Sequence, residues 1–281
     1  MGSNGEASHL SNYERQTVTR ETRAVLDSKG FSSVPIIVGC SDQYAMGTLD
    51  LIRDAKQAGG DYALVLPPSY FRDAMNNQII NDFYREVATA SPLPILLYSF
   101  PAVSAGITMS SDLLISVSRH PNVVGTKFTC GDTGKIGRVA AATDAVSPLA
   151  PSPPLSNYTG PYYVTLGGMA DFILPALVAG ASGVIAGGSN VFPKICRHVF
   201  QSFCDGSLED AIRAQKLLNK ADWAHTKRGI AGTKAVLQKH FGYGGIPRPP
   251  LPPLSSEDEI ALMSEVEEAI AWEKELELQD V

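Results

Sequence analysis

A parallel α/β fold is what this sequence predicts, and two observations carry the prediction. Short apolar runs, most of them rich in β-branched residues, recur near residues 34–38, 62–66, 94–98, 123–128, 162–167 and 183–187. Each is followed by a stretch with helical periodicity. Strands alternating with helices pair in parallel, because a parallel neighbour is reached only through a crossover. A helix precedes the first run: Ser11 and Glu14 stand at capping-box spacing, and Gly30 supplies its stop. The third run ends at a proline turn, Tyr98-Ser99-Phe100-Pro101, and the fourth, Val123 to Phe128, leads into a helix expected over 133–144. Past the last run, residues 207–223 and 256–275 read as helices, with Glu257, Asp258 and Glu259 complementing the positive end of the second.

Composition narrows the function classes. The 281 residues are 44% hydrophobic and 19% charged, and 29 acidic against 23 basic residues give a net charge of -6, which argues against a nucleic-acid binder. Cys40, Cys130, Cys196 and Cys204 show no close-paired ligand spacing and the five histidines are scattered, so a reduced intracellular compartment and no metal are expected. No apolar run nears the roughly 18 residues that span a bilayer, and no signal peptide precedes the first motif. Gly131-Asp132-Thr133-Gly134-Lys135 imitates a phosphate loop. The glycine required five residues before Gly134 is Thr129, however, and Ile136 stands where a magnesium-binding hydroxyl belongs. Gly187-Gly188-Ser189-Asn190 reads as a tight turn with an Asn190 cap, or as an anion site at a helix start.

Three segments carry chemistry. Lys127 ends the run Val123-Val124-Gly125-Thr126-Lys127-Phe128. An apolar interior disfavours an ammonium and favours the neutral amine, which attacks a ketone to form a Schiff base. A lysine that snorkels to solvent is the alternative. Gly2-Ser3-Asn4-Gly5-Glu6 offers backbone N–H groups and short polar side chains, either to a carboxylate or as the capping turn of a following helix. Tyr98 stops an apolar run at its rim, where its hydroxyl can relay a proton or simply be satisfied in the core.

The order Gly-x-x-Gly-Glu, Tyr-x-x-Pro, Gly-x-Lys resembles the dihydrodipicolinate synthase and N-acetylneuraminate lyase family of pyruvate-dependent class I aldolases. The resemblance covers essentially the whole chain, including Gly167-Gly168-Met169-Ala170-Asp171 and Gly180-Ala181-Ser182-Gly183-Val184-Ile185. Asp132 to Gly137, Arg228 to Lys234, Phe241 to Gly245 and Pro249-Pro250-Leu251 are similar to the 4-hydroxy-2-oxoglutarate aldolases.

The resemblance implies a (β/α)8 barrel with C-terminal helices, divided here into a catalytic domain over 1–205 and a helical region over 206–281 packed on it. Six strands are countable where eight are wanted, and only Met1 precedes a turn that ends the family's second strand. The expectation is therefore a chain lacking the first strand-helix unit and most of the second strand, through an incomplete gene model or a downstream start. Ser147 to Pro154 is longer and richer in proline than a helix-to-strand connection usually is, and reads as an excursion at the face opposite the site.

Residue by residue, the resemblance makes Lys127 the Schiff-base lysine and Tyr98 the proton relay. Ser3 and Asn4 would hold the pyruvyl carboxylate, with Thr129 and Gly168 as further substrate contacts. The implied reaction splits 4-hydroxy-2-oxoglutarate into pyruvate and glyoxylate without a cofactor, since the imine is itself the electron sink. A 2-keto-3-deoxy-sugar-acid aldolase of the L-threo-3-deoxy-hexulosonate type is the second reading, and a non-catalytic truncated member is the reading from another class. The lysine-pathway branch is disfavoured, because Ala102-Val103-Ser104-Ala105 carries no arginine after Tyr-x-x-Pro. An aromatic pair that reaches a neighbouring subunit's site in the family is Tyr70-Phe71 here, one hydroxyl short. A homotetramer or homodimer, a small-molecule 2-oxo acid substrate, no nucleic acid or membrane partner, and a mitochondrial location, with the cytoplasm as alternative, complete what the resemblance implies.

Overall fold

The computed structural model describes residues 1–150 and 162–276. By internal contacts the chain forms two compact units, Met1–Val146 with Ser152–Thr165, and Ser147–Pro151 with Leu166–Val281.

The first unit begins with a turn at Gly2–Glu6, followed by a single 3-10 turn, Ala7–His9, rather than the immediate helix the sequence suggested. It then runs α1 (Asn12–Ser28), β1 (Ile37–Gly39), α2 (Ala45–Gln57), β2 (Tyr62–Val65), α3 (Asn77–Ala90), β3 (Ile95–Ser99), α4 (Ser111–Ser118), β4 (Val123–Phe128) and α5 (Thr133–Ala142). The strands are parallel, and β1–β2, β2–β3 and β3–β4 are neighbours. Every residue of β3 and β4 is buried, as strands covered on both faces require. Ile52, Tyr84, Leu97, Leu114, Phe128 and Ile136 are almost wholly out of water, each such side chain contributing about 1.5–3 kcal/mol.

Local chemistry sets the helix ends. Ser11 and Glu14 close the capping box, and Gly30 takes the left-handed conformation just past the end of α1. Asn76, Ser110 and Asp132 cap α3, α4 and α5 through their side chains, worth about 1 kcal/mol each. The helix expected to reach 144 stops at Ala142, because Asp144 adopts positive φ.

The second unit carries the end of β5 (Val164–Gly167), paired in parallel with β6 (Gly183–Val184) through Leu166–Gly183 and Gly167–Val184. The expected strand over 183–187 is shorter than its apolar run, since Gly187–Asn190 forms a 3-10 turn closed by the Asn190 amide on the Gly187 carbonyl. Around these pack α6 (Ile173–Val178), α7 (Pro193–Cys204), α8 (Leu208–Thr226), α9 (Gly229–Phe241) and α10 (Ser256–Glu275), burying Phe192, Ile195, Leu218, Val236 and Leu262. Of these, α10 matches its sequence-based range, α8 runs three residues past 223, and α9 was not foreseen. Glu273 caps α7, its carboxylate accepting the N–H groups of Lys194 and Ile195 at 2.9 and 3.0 Å. Within the proline-rich stretch, Ser147 and Ala150 form a single bridge, and 151–154 lie outside the described residues. Among the described residues no helix is long and apolar enough to cross a membrane.

Candidate functional site

The site is built at the C-terminal ends of β3 and β4. Tyr98 and Lys127 are register partners, so both side chains leave the sheet on one face at one level. That pairing depends on an irregularity. Ile95 pairs with Val123, but Leu96 pairs with Gly125, so β4 carries one extra residue at Val124. Without it Tyr98 would face Thr126, and Lys127 would point to the opposite side of the sheet.

Gly125 is required there for space. A Cβ at this position would meet the Val164 side chain at 2.6 Å and the Val164 carbonyl at 2.7 Å. Between Gly125 and the lysine, Thr126 exchanges a hydroxyl hydrogen bond with Tyr163 at 2.5 Å, and burial pushes the Tyr163 phenol well above the usual range. The strand that carries the lysine is thus fixed just before it by a close backbone approach and a buried polar pair.

Lys127 is 7% exposed, and its Nζ lies 4.5 Å from the Tyr98 ring centroid, within cation–π range. Among the described residues no carboxylate lies within ion-pair distance of this nitrogen. The Met1 α-amino group is also close enough to act on it electrostatically. A buried lysine beside a π-face and a second amine, rather than a carboxylate, is not a structural ion pair, and its nitrogen is placed to act as a nucleophile.

Tyr98 is 4% exposed, and its Oη lies 3.4 Å from Ser3 Oγ. The N-terminal turn therefore reaches the tyrosine. In that turn the N–H groups of Glu6 and Ala7 donate to Ser3 and Gly2 carbonyls, whereas those of Ser3, Asn4 and Gly5 have no partner among the described residues. Three free N–H groups and a serine hydroxyl next to a lysine suit a carboxylate. The turn is anchored from below: the Met1 carbonyl accepts from Gly39 N–H at 3.0 Å, and Arg15 of α1 donates to the carbonyls of Ala7 and Gly39. Sequence reasoning passed over Arg15. Its only signal was a cation on the inner face of the first helix.

The sequence-based candidates are distributed as follows. Ser3, Tyr98 and Lys127 come together. Asn4 belongs to the same turn, with its side chain exposed. Thr129 stands one residue past β4, where its N–H donates to the Ser99 carbonyl at 2.9 Å and its hydroxyl is buried without a partner. Such an orphan hydroxyl is costly unless a ligand satisfies it. Gly168 is buried just past β5, in the second unit. Of the remaining polar groups after β4, Cys130 accepts from Lys135 Nζ at 3.9 Å, and that ammonium also lies 3.7 Å from Asp132. Among the described residues no cluster of His, Cys, Asp and Glu could hold a metal ion.

In the second unit Asp222 holds the turn after β5, accepting the N–H groups of Ala170 and Asp171 at 3.1 Å each. Its other oxygen lies 3.1 Å from His225 Nε2, and His225 Nδ1 pairs with Thr233 at 3.0 Å. Burial, and then the Asp222 charge, push the Asp171 carboxyl up to about 6.

Comparison with known proteins identifies the family. The family model described as the dihydrodipicolinate synthetase family matches residues 1–269. A protein of Aspergillus niger named L-threo-3-deoxy-hexylosonate aldolase is 48% identical over 98% of this chain and 85% of its own. One of Emericella nidulans named "Probable 4-hydroxy-2-oxoglutarate aldolase, mitochondrial" is 42% identical over 99% of this chain and 85% of its own. The crystal structure of a dihydrodipicolinate synthase family protein from Coccidioides immitis superposes with a TM-score of 0.78 at 30% identity, covering 98% of this chain and 84% of that one. The chain belongs to the dihydrodipicolinate synthetase family.

Proposed function

We propose that this protein is a class I aldolase that cleaves a 4-hydroxy-2-oxo acid through a Schiff base on Lys127. The observation that carries the reading is one arrangement: a buried lysine that has no carboxylate partner among the described residues, 4.5 Å from the ring of a tyrosine whose hydroxyl meets Ser3. The Lys127 amine adds to the C2 ketone, and loss of water leaves a protonated imine. Tyr98 relays the proton of the 4-hydroxyl, accepting it as its own phenolic proton passes to Ser3 Oγ and on to solvent, while the C3–C4 bond breaks and the bonding pair passes into the imine to give an enamine. The aldehyde leaves. Protonation at C3 and hydrolysis release pyruvate and free the lysine. The N–H groups of Ser3, Asn4 and Gly5, which have no partner among the described residues, bind the C1 carboxylate, and the Thr129 hydroxyl adds a further contact.

The substrate we favour is 4-hydroxy-2-oxoglutarate, giving glyoxylate, on the strength of the Emericella relative and of the tail from Arg228 to Leu254. A second reading, the L-threo-3-deoxy-hexulosonate type, is favoured by the higher identity of the Aspergillus relative. Pyruvate with borohydride should leave a covalent adduct on Lys127 by peptide mass mapping. A side-by-side kcat/KM comparison then decides the aldehyde half, and a tenfold or greater preference for the sugar acid would replace the first reading by the second.

We also propose that β1–β6 correspond to the third to eighth strands of the family's barrel, because the Gly2–Glu6 turn stands before β1 where the family's turn ends its second strand. The barrel domain over 1–205 and the helical region over 206–281 are kept as the working division. Homo-oligomers, dimeric or tetrameric, fit the exposed edge-on pair Tyr70 and Phe71, 78% and 72% accessible with ring centroids 5.1 Å apart. A mitochondrial location follows the name of the Emericella relative.

A further inference from the structure

The loop that follows Tyr98 supplies no cation of its own, reading Ser99-Phe100-Pro101-Ala102-Val103-Ser104-Ala105-Gly106. It is nevertheless firmly shaped. Buried Ser104 donates its hydroxyl to the Phe100 carbonyl at 2.8 Å, Gly106 N–H donates to Pro101 at 2.9 Å, and Ile107 N–H donates to Ser104 at 2.9 Å. Ala105 is held at φ 49°, beside Gly106 at 76°. A left-handed alanine costs about 1–2 kcal/mol, so something must fix it.

What meets it is a guanidinium from a different strand end. Arg72 Nε donates to the Ala105 carbonyl at 3.2 Å. Arg72 opens the 3-10 turn Arg72–Ala74 in the connection after β2, and that connection is itself pinned. The Gln43 side-chain oxygen accepts the N–H groups of Ser69 and Tyr70 at 2.8 and 2.9 Å. One of the five N–H donors of Arg72 is thus spent on holding the loop. Among the described residues its two terminal nitrogens have neither a hydrogen-bond partner nor a carboxylate within ion-pair distance. A tethered guanidinium with its outer fork free has the geometry that takes a carboxylate bidentately.

The placement matters because of what the reaction puts there. With C2 joined to Lys127 and the 4-hydroxyl at Tyr98, whatever is attached to C4 extends toward the loop that begins at Tyr98. We propose that Arg72 binds the distal carboxylate of a dicarboxylic 4-hydroxy-2-oxo acid and so selects it over substrates that carry a neutral group at that end. The proposal rests on the aldolase reading above and deepens it. A polyhydroxy acid presents only hydroxyls to Arg72 and gains a weaker bond, whereas a carboxylate gains a charge-assisted pair.

The test is steady-state kinetics of the wild type, Arg72→Ala and Arg72→Lys on two substrates of nearly equal size. They are 4-hydroxy-2-oxoglutarate and 4-hydroxy-2-oxopentanoate, which has a methyl in place of the distal carboxylate. Arg72→Ala should raise KM for the dicarboxylate by about 10- to 100-fold with kcat within about threefold, while KM for the methyl analogue stays within about threefold. Arg72→Lys, keeping the charge but losing the fork, should fall between them. If both KM values rise together, or kcat falls equally on both substrates, Arg72 only shapes the loop and the proposal is overturned. No change on either substrate overturns it as well. Pyruvate trapping on Lys127 separates the two readings. A wild type that forms no adduct refutes the aldolase itself, whereas normal trapping with an unselective Arg72→Ala refutes only the role of Arg72.

Discussion

Tyr98→Phe isolates the proton relay from everything else the tyrosine does. The substitution removes one atom, Oη, whose contact is Ser3 Oγ at 3.4 Å, a long hydrogen bond worth at most about 1 kcal/mol net. The ring stays. Its position beside Lys127 Nζ at 4.5 Å, its packing at 5.8 Å from Phe100 and its place in β3 should all persist. Stability should therefore change little, with Tm shifting by no more than about 2–4 °C for a chain of this size. Catalysis should fall far more. Loss of a proton relay that acts in the bond-breaking step lowers kcat by about 10²–10⁴, or roughly 3–5 kcal/mol of transition-state stabilisation. Three measurements on one preparation decide it: thermal melting, borohydride trapping of pyruvate, and turnover of the hydroxy acid. Preserved melting and trapping with slowed turnover is the expected pattern. A kcat within a factor of about three of the wild type would reduce Tyr98 to packing, since no relay can be removed so cheaply.

Lys127→Arg should abolish both the adduct and turnover, because a guanidinium stays protonated; an adduct found on Lys135 or Lys234 in the wild type would refute the assignment. Gly125→Ala should cost about 1–3 kcal/mol in urea unfolding, since the new methyl would press on the Val164 carbonyl and backbone cannot step aside as a side chain does; unchanged stability would mean that β4 relaxes there. Asp171 is raised from 3.8 to about 6, so the fold holds this proton more tightly than the unfolded chain, and the stability it contributes is present below the ordinary value and lost as pH rises through about 6. Asp171→Asn should accordingly leave Tm near pH 4 almost unchanged and raise stability above pH 7 by about 1 kcal/mol after allowance for screening, and a gain equal at both pH values would refute the cause.

How much of this was legible in the sequence depends on the distance over which each feature is encoded. The six strand runs and the Ser11 box were readable because apolar periodicity and capping are local, and each strand found lies within a few residues of its run. Lys127 stood out because a cation ending an apolar run is locally improbable, and Gly125 two residues earlier has a spatial reason that its motif only hinted at. The convergence of Lys127 with Tyr98 was readable only through the family resemblance, not from the local pattern. It turns on one extra residue at Val124, and the apolar pattern Val123-Val124 is compatible with either register. Helix α9 escaped for the opposite reason. Gly229 and Gly232 lie in its first turn and Thr233 just beyond, all weak helix formers, so tertiary packing decides: Val236 and Leu237 are buried in the second unit, and Thr233 is hydrogen-bonded to His225. Arg72 belongs to the same class as the register. Nothing around Tyr70-Phe71-Arg72 announces a partner 33 residues further on, and only the fold brings that guanidinium to the Ala105 carbonyl. Groups that act within one strand or one turn can thus be read from the chain, whereas those that join two strand ends need the strand order and register to be known. The aldehyde half of the substrate falls in the second group, because the residue proposed to select it is delivered by the strand next to the one that carries the relay.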